Sequence, residues 1–242
     1  MRKTILKAHT ADIGFQKEEP LVRGLDLSLN QGEIFGVIGR SGLGKTTLIR
    51  TIAGLVPLLS GEISFQGIPV NSATRGSIGL IPQRLGLVSH QSVGYNVLMG
   101  ALPRANLFQT VFSLPSREMR DATREAIRSV GLSDKSLESV NRLSGGEQRR
   151  VAIARAMVQS PQLLLADECL GELDAVTARE IIHLLREIAD SHGVGIIIVD
   201  HNPARASTFC DSMFELRGSR LLTLNEDDMS PQSGLPQVEG AQ

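Results

Sequence analysis

The stretch Glu33–Thr47, "EIFGVIGRSGLGKTT", passes from a short apolar run through a glycine-rich loop into a polar segment. The run Glu33–Gly39 is continuously apolar rather than alternating, as strands covered on both faces are. The pattern from Lys45 to about Ala53 reads as a helix. Between them, Gly39, Gly44, Lys45 and Thr46 keep the spacing G-x-x-x-x-G-K-[ST]. Glycines let successive N–H groups turn into one concavity, and the helix N-terminus adds partial positive charge. Lys45 brings a full charge to the β- and γ-phosphates, and the Thr46 hydroxyl is a ligand for Mg²⁺. A solvated lysine beside a glycine turn is the plainer reading, but a strand before and a helix after are the context this motif requires. Gly39, Arg40, Ser41, Gly42, Leu43, Gly44, Lys45, Thr46 and Thr47 are therefore expected to hold a nucleoside triphosphate. The motif alone does not separate kinase, GTPase, helicase and transport ATPase.

A phosphate loop needs an acid for its metal, usually at the end of a neighbouring apolar strand. "LLLADECLGELD", Leu163–Asp174, supplies one. Carboxylates closing a buried run are costly unless neutralised or used. Asp167 is expected at Mg²⁺, and Glu168, one residue further out, is expected to polarise the attacking water.

Elsewhere, apolar runs alternate with helical patterns. Gln162–Asp167 and Val194–Asp200 read as further buried strands, and Gly61–Val70 and Gly76–Gln83 as strands with turn residues between them. Helical patterns cover about Ser116–Val130, Gly146–Val158 and Asp174–Asp190. In the last, Ile181, Leu184, Leu185 and Ile188 form an i, i+3, i+4, i+7 stripe. This layering predicts an α/β domain with a mostly parallel sheet over residues 1–224. The segment from about 91 to 143 lacks strong strands and reads as an inserted helical subdomain. The tail, 225–242, has four acids, no Lys or Arg and little to bury, so disorder is expected there.

Bulk properties exclude several classes. The chain has 242 residues, 41% of them hydrophobic, enough for one large buried core. A net charge of −1 gives no field that would pull it onto nucleic acid, and 3% aromatics argue against a stacking platform for single strands. Cys169 and Cys210 lack disulfide or zinc spacing and read as free thiols. The N-terminal apolar stretch is too short for a signal peptide, and no window approaches a membrane span. Any membrane role is expected to come through a partner.

"RLSGGEQRRVAIARAM", Arg142–Met157, narrows the class. Ser144, Gly145, Gly146 and Glu147 open a helix and make a second anion-binding arrangement. One ATP does not need two such sites from distant parts of one chain; two chains placed head to tail would use both. The stretch resembles the signature of ABC-type ATPases, and the resemblance covers about Thr4–Leu222. It implies a P-loop NTPase core with an antiparallel β subdomain beside the helical insert. It further implies that Gln83 touches Mg²⁺ or water, that His201 contacts the γ-phosphate, that Asp174 crosses the dimer interface and that Phe15 stacks on adenine. A lone Phe is also well explained as strand core. In this resemblance Glu168, His201, Lys45 and Gln83 are catalytic, and Thr46, Gln83 and Asp167 serve the metal.

Two departures stand out. The family usually has proline where Cys169 stands, and commonly a small residue at Glu172. Cys169 is either an oxidisable thiol beside the site or a small buried residue, the plainer reading. The segment Asn96–Ile127 resembles its counterpart in ATP-binding subunits of phosphonate importers, which would place Phe108, Val111, Phe112 and Leu114 near a permease. The resemblance thus implies an ATP-hydrolysing homodimer on the cytoplasmic face of the inner membrane. It would be attached through transmembrane permease subunits and served indirectly by a periplasmic substrate-binding protein. The alternative is a soluble ABC-type ATPase in a phosphonate-degrading complex; retention of Glu168, Gln83 and His201 speaks against a module that only binds ATP.

Overall fold

The computed structural model describes residues 2–70, 77–102 and 115–224. Its larger sheet contains β3 (Ile34–Ile38), β6 (Ile78–Ile81), β7 (Leu163–Asp167), β8 (Gly195–Val199), β9 (Ser212–Arg217) and β10 (Arg220–Leu224). The order is β10-β9-β3-β8-β7-β6, parallel throughout except for the β9–β10 hairpin. A four-stranded antiparallel sheet holds β1 (Thr4–Ile13), β2 (Val22–Asn30), β4 (Ser60–Phe65) and β5 (Ile68–Pro69) in the order β2-β1-β4-β5. Gly61–Val70 is thus a hairpin turning at Gln66 and Gly67.

The continuous apolar strands are explained by what lies on each face. Leu163, Leu165, Ile197 and Val199 share one core with Leu48, Ile49 and Ile52 of helix α1 (Lys45–Ile52) and with β1 and β2. The alternate residues Leu164, Ala166, Ile196 and Ile198 belong to the opposite core. That core includes Val151–Ala154 of α4 (Gly145–Met157) and Ile181, Leu184, Leu185 and Ile188 of α5 (Ala175–His192). Period two along the strand meets an apolar layer on both sides, so no position is free to be polar. Burying each of these Leu, Ile and Val side chains contributes about 1.5–3 kcal/mol.

The helical insert contains α2 (Val93–Gly100) and α3 (Arg117–Ser129), each started by a serine. The Ser92 hydroxyl accepts from Tyr95 N and that of Ser116 from Met119 N, both at 3.1 Å. Phe108, Val111, Phe112 and Leu114 lie outside the described residues, as does the 225–242 tail. A short α6 (Pro203–Ala206) follows β8. Among the described residues no helix is long and apolar enough to cross a membrane.

Candidate active site

Because β3, β6, β7 and β8 run parallel, the loops after them leave the same sheet edge, where α/β sheets bind ligands. Those loops carry Gly39–Thr47, Gln83, Glu168 and His201. The sheet topology therefore gathers four motifs that are scattered over 160 or so positions of sequence.

In the first loop, two glycines are sterically required. A Cβ on Gly39 would stand 2.8 Å from the Leu216 carbonyl oxygen, and one on Gly44 2.8 Å from Leu21 Cβ; their φ values are +148° and +103°. Gly44 is the N-cap of α1, and no side chain caps that helix. Its first N–H groups are left for a ligand. Lys45 is only 4% exposed, and its Nζ donates to the carbonyl oxygens of Gly39 at 2.6 Å and Arg40 at 2.9 Å. Burial lowers its pKa, while the Glu168 and Asp167 carboxylates work in the opposite direction.

Asp167 ends β7 and is buried, and its Oδ1 has no hydrogen-bond partner. Burial raises its pKa; a hydrogen bond from the Thr46 hydroxyl pulls it back, and the Glu168 charge pushes it up again. An orphaned carboxylate oxygen beside a hydroxyl is a pair of hard donors suited to a divalent cation. Among the described residues no three His, Cys, Asp or Glu side chains gather into a metal cage. The Thr46 hydroxyl and the unpartnered Asp167 oxygen fit Mg²⁺ as donors.

Glu168 is held from both sides. Gln83 Nε2 donates to its Oε2 at 2.6 Å, and His201 Nε2 lies 2.7 Å from its Oε1. Its backbone is left-handed, with φ +51°, and its N–H donates to the Val199 carbonyl at 3.1 Å. That conformation costs a glutamate about 1–3 kcal/mol and aims the side chain at the loop edge. Residues 85 positions before Glu168 and 33 after it thus share its carboxylate.

Ser144 caps α4. Its Oγ accepts from Glu147 N at 3.3 Å, and Glu147 Oε2 accepts from Ser144 N at 2.8 Å. This is a reciprocal capping box. The other Glu147 oxygen pairs with Lys135 Nζ, and that contact, followed by the Ser144 N–H, holds the Glu147 carboxyl below its usual range. Among the described residues no hydrogen bond or ion pair joins this helix end to the Gly39–Thr47 loop.

The family model described as ABC transporter matches residues 22–171. The chain belongs to this family. The cassette is 32% identical to a Phosphonates import ATP-binding protein of Trichormus variabilis, over 92% of this chain and 93% of that one. It is 38% identical to one from Caulobacter vibrioides, over 82% and 80%. Among solved structures, cbiO1 from Clostridium perfringens, part of the ABC transporter complex cbiONQ, superposes with a TM-score of 0.80 at 28% identity, over 91% and 87% of the two chains. A dimeric post-hydrolysis state of the ATP-binding cassette MJ0796, bound to ADP and Pi, gives 0.75 at 25% identity, over 90% and 96%.

Within this ABC cassette, other expected residues fall out as follows. Phe15 lies beyond β1 and is 73% exposed, so it is not strand core and its ring is open to a partner. Asp174 is the N-cap of α5, accepting from Val176 N and Thr177 N at 3.0 Å and from the Thr177 hydroxyl at 2.6 Å. Those bonds, that of the Thr177 hydroxyl foremost, hold its carboxyl low. Glu172 is exposed and left-handed, with φ +61°. Cys169 is 1% exposed, and burial pushes its thiol up to about 12, which corrects the reading of it as an oxidisable thiol and supports that of a small buried residue.

Sequence reading missed Arg149. Its Nε donates to the Cys169 carbonyl at 3.0 Å and its Nη2 to that of Gly171 at 2.8 Å. It thereby fixes the turn after Glu168 onto α4. The partners are backbone carbonyls, which carry no residue-type signal; only the arginine itself, inside "SGGEQRR", was visible.

Proposed function

We propose that this chain is the ATP-hydrolysing, energy-coupling subunit of a bacterial ABC importer for phosphonate or a related phosphorus oxyanion. The observation that carries hydrolysis is the Gln83–Glu168–His201 constellation beside the buried Lys45. Cargo rests on the names of relatives similar over most of their length.

Glu168 accepts a proton from the attacking water, so one of its two present partners must yield an oxygen to that water. His201 and Lys45 stabilise charge on the γ-phosphoryl group, and Gln83 orients the water. Catalysis here is positioning and electrostatics, without a covalent intermediate. Thr46 and Asp167, with Gln83, would hold Mg²⁺, which when bound supplies charge neutralisation at the phosphate oxygens. Phe15 stacks on adenine. Each ATP lies between the Gly39–Thr47 loop of one copy and Ser144, Gly145, Gly146 and Glu147 of a second, with Asp174 at the junction. ATP closes this homodimer and hydrolysis reopens it. Permease subunits docked on the helical insert follow the movement at the cytoplasmic face of the inner membrane, and a periplasmic binding protein delivers cargo to them.

The test is uptake of labelled methylphosphonate in cells whose only copy of the gene is wild type or Glu168→Gln. Uptake lost in the variant, with the chain recovered bound to a polytopic membrane protein, is the expected result. Unchanged uptake, or recovery only in a soluble multi-enzyme complex, sinks the importer reading; the latter favours an accessory ATPase of phosphonate breakdown.

A further inference from the structure

The turn that carries Gln83 is unusual. The Leu85 N–H closes it onto the Pro82 carbonyl at 2.8 Å, and Leu85 is itself left-handed, with φ +49°, although it is not glycine. Such a turn persists only where its surroundings over-determine it. Leu85 is buried in the core beneath the helical insert, and one side chain binds the turn's carbonyls. Arg155, in the last turn of α4, donates from Nη1 to the Gly86 carbonyl at 2.6 Å and from Nη2 to the Leu85 carbonyl.

Arg155 is a costly choice for this task. Burial lowers its pKa, and among the described residues no carboxylate pairs with it. Its backbone is also pinned: a Cβ on Gly100 of α2 would stand 2.1 Å from the Arg155 carbonyl oxygen and 2.9 Å from its Cγ. A half-buried guanidinium with no carboxylate beside it is explained by geometry, because a rigid fork reaches two successive carbonyls. The same helix begins at Ser144, eleven residues and roughly 16 Å away.

We propose that Arg155 is a positioning residue for Gln83: its fork holds the Pro82–Gly86 turn so that Gln83 meets Glu168, and it ties that contact to the helix whose other end is Ser144. A shift of α4 on closure would then move Gln83 relative to Glu168. The inference rests on the proposed role of Gln83 in hydrolysis.

The experiment is a double-mutant cycle on ATP turnover by the full chain, with affinity for a fluorescent ATP analogue measured alongside. Arg155→Lys keeps the charge but loses the fork, and is expected to lower kcat about tenfold while leaving nucleotide affinity within about twofold. On a Gln83→Ala background the same change is expected to cost nothing further, because both act through one contact. Full additivity of the two losses overturns the Arg155 proposal. A Gln83→Ala variant with parental kcat instead overturns the role of Gln83 itself. Should Arg155→Lys not fold, Arg155→Met retains the stem packed beneath Gly100 and enters the same cycle.

Discussion

Two helix N-termini in this cassette carry the motifs expected at nucleotide, and they are finished differently. Helix α1 begins at Gly44 with no side-chain cap, so its first N–H groups are open. Helix α4 begins at Ser144 with a complete capping box, and Lys135 neutralises the glutamate in it. In the proposed function the first takes the phosphates within one chain, and the second, which satisfies itself here, would be reached by the ATP of a second copy. The difference teaches that the two ends, alike in sequence as glycine-led helix starts, differ in how far each depends on something outside the chain.

The contrast can be attacked at several strengths. The largest effect is expected at the base: Glu168→Gln should reduce kcat by about 10²–10⁴-fold while ATP still binds, measured by phosphate release and by equilibrium binding. Parental turnover would remove Glu168 from that role. Next, Lys45→Ala should weaken ATP binding about a hundredfold, since it removes a buried full positive charge from the start of the open helix. Retained affinity there would mean that the α1 loop is not the nucleotide's primary seat.

Smaller effects test the self-satisfied end. Glu147→Gln keeps the shape of the box but loses the ion pair with Lys135. The folded state holds the Glu147 carboxyl low, so its stabilisation is present above the ordinary carboxylate range and is lost as pH falls through its own pKa. The variant should therefore melt about 1–3 °C below the parent at pH 7, with the gap closing in acid. A gap that widens in acid would contradict the assignment. Last, Asp167→Asn in chelator should leave Tm equal to or slightly above the parent, because a buried charge with one oxygen unpartnered is removed while hydrolysis is lost. A marked fall in Tm would show that Asp167 supports the fold rather than a cation.

Sequence made the parallel core and its loops legible because each motif follows an apolar run whose two faces are both covered. The edge elements were harder. Strand β1 carries register shifts against β2 and β4, so its buried residues do not alternate cleanly, and β1, β2, β9 and β10 were not read as strands. Within the site, Lys45, Asp167, Glu168 and Ser144 were readable as residue types at fixed spacing. The left-handed turns at Glu168 and Leu85 were not, since neither residue signals positive φ. Arg149 and Arg155 were hidden for a related reason: both bind carbonyl groups 20 to 70 residues away, and any residue can offer a carbonyl. Asp174 was read as an interface acid, whereas its visible work within the chain is to cap α5.

The central claim is that the open end of α1 and the capped end of α4 meet across two copies around ATP. Its most direct test is the mass in solution of Glu168→Gln with saturating ATP, beside Glu168→Gln/Ser144→Arg under the same conditions. The account predicts an ATP-dependent doubling of mass in the first. In the second it predicts a monomer that still binds one ATP per chain. A double variant that dimerises with ATP as the single one does would contradict it, and so would a Glu168→Gln chain that stays monomeric when saturated.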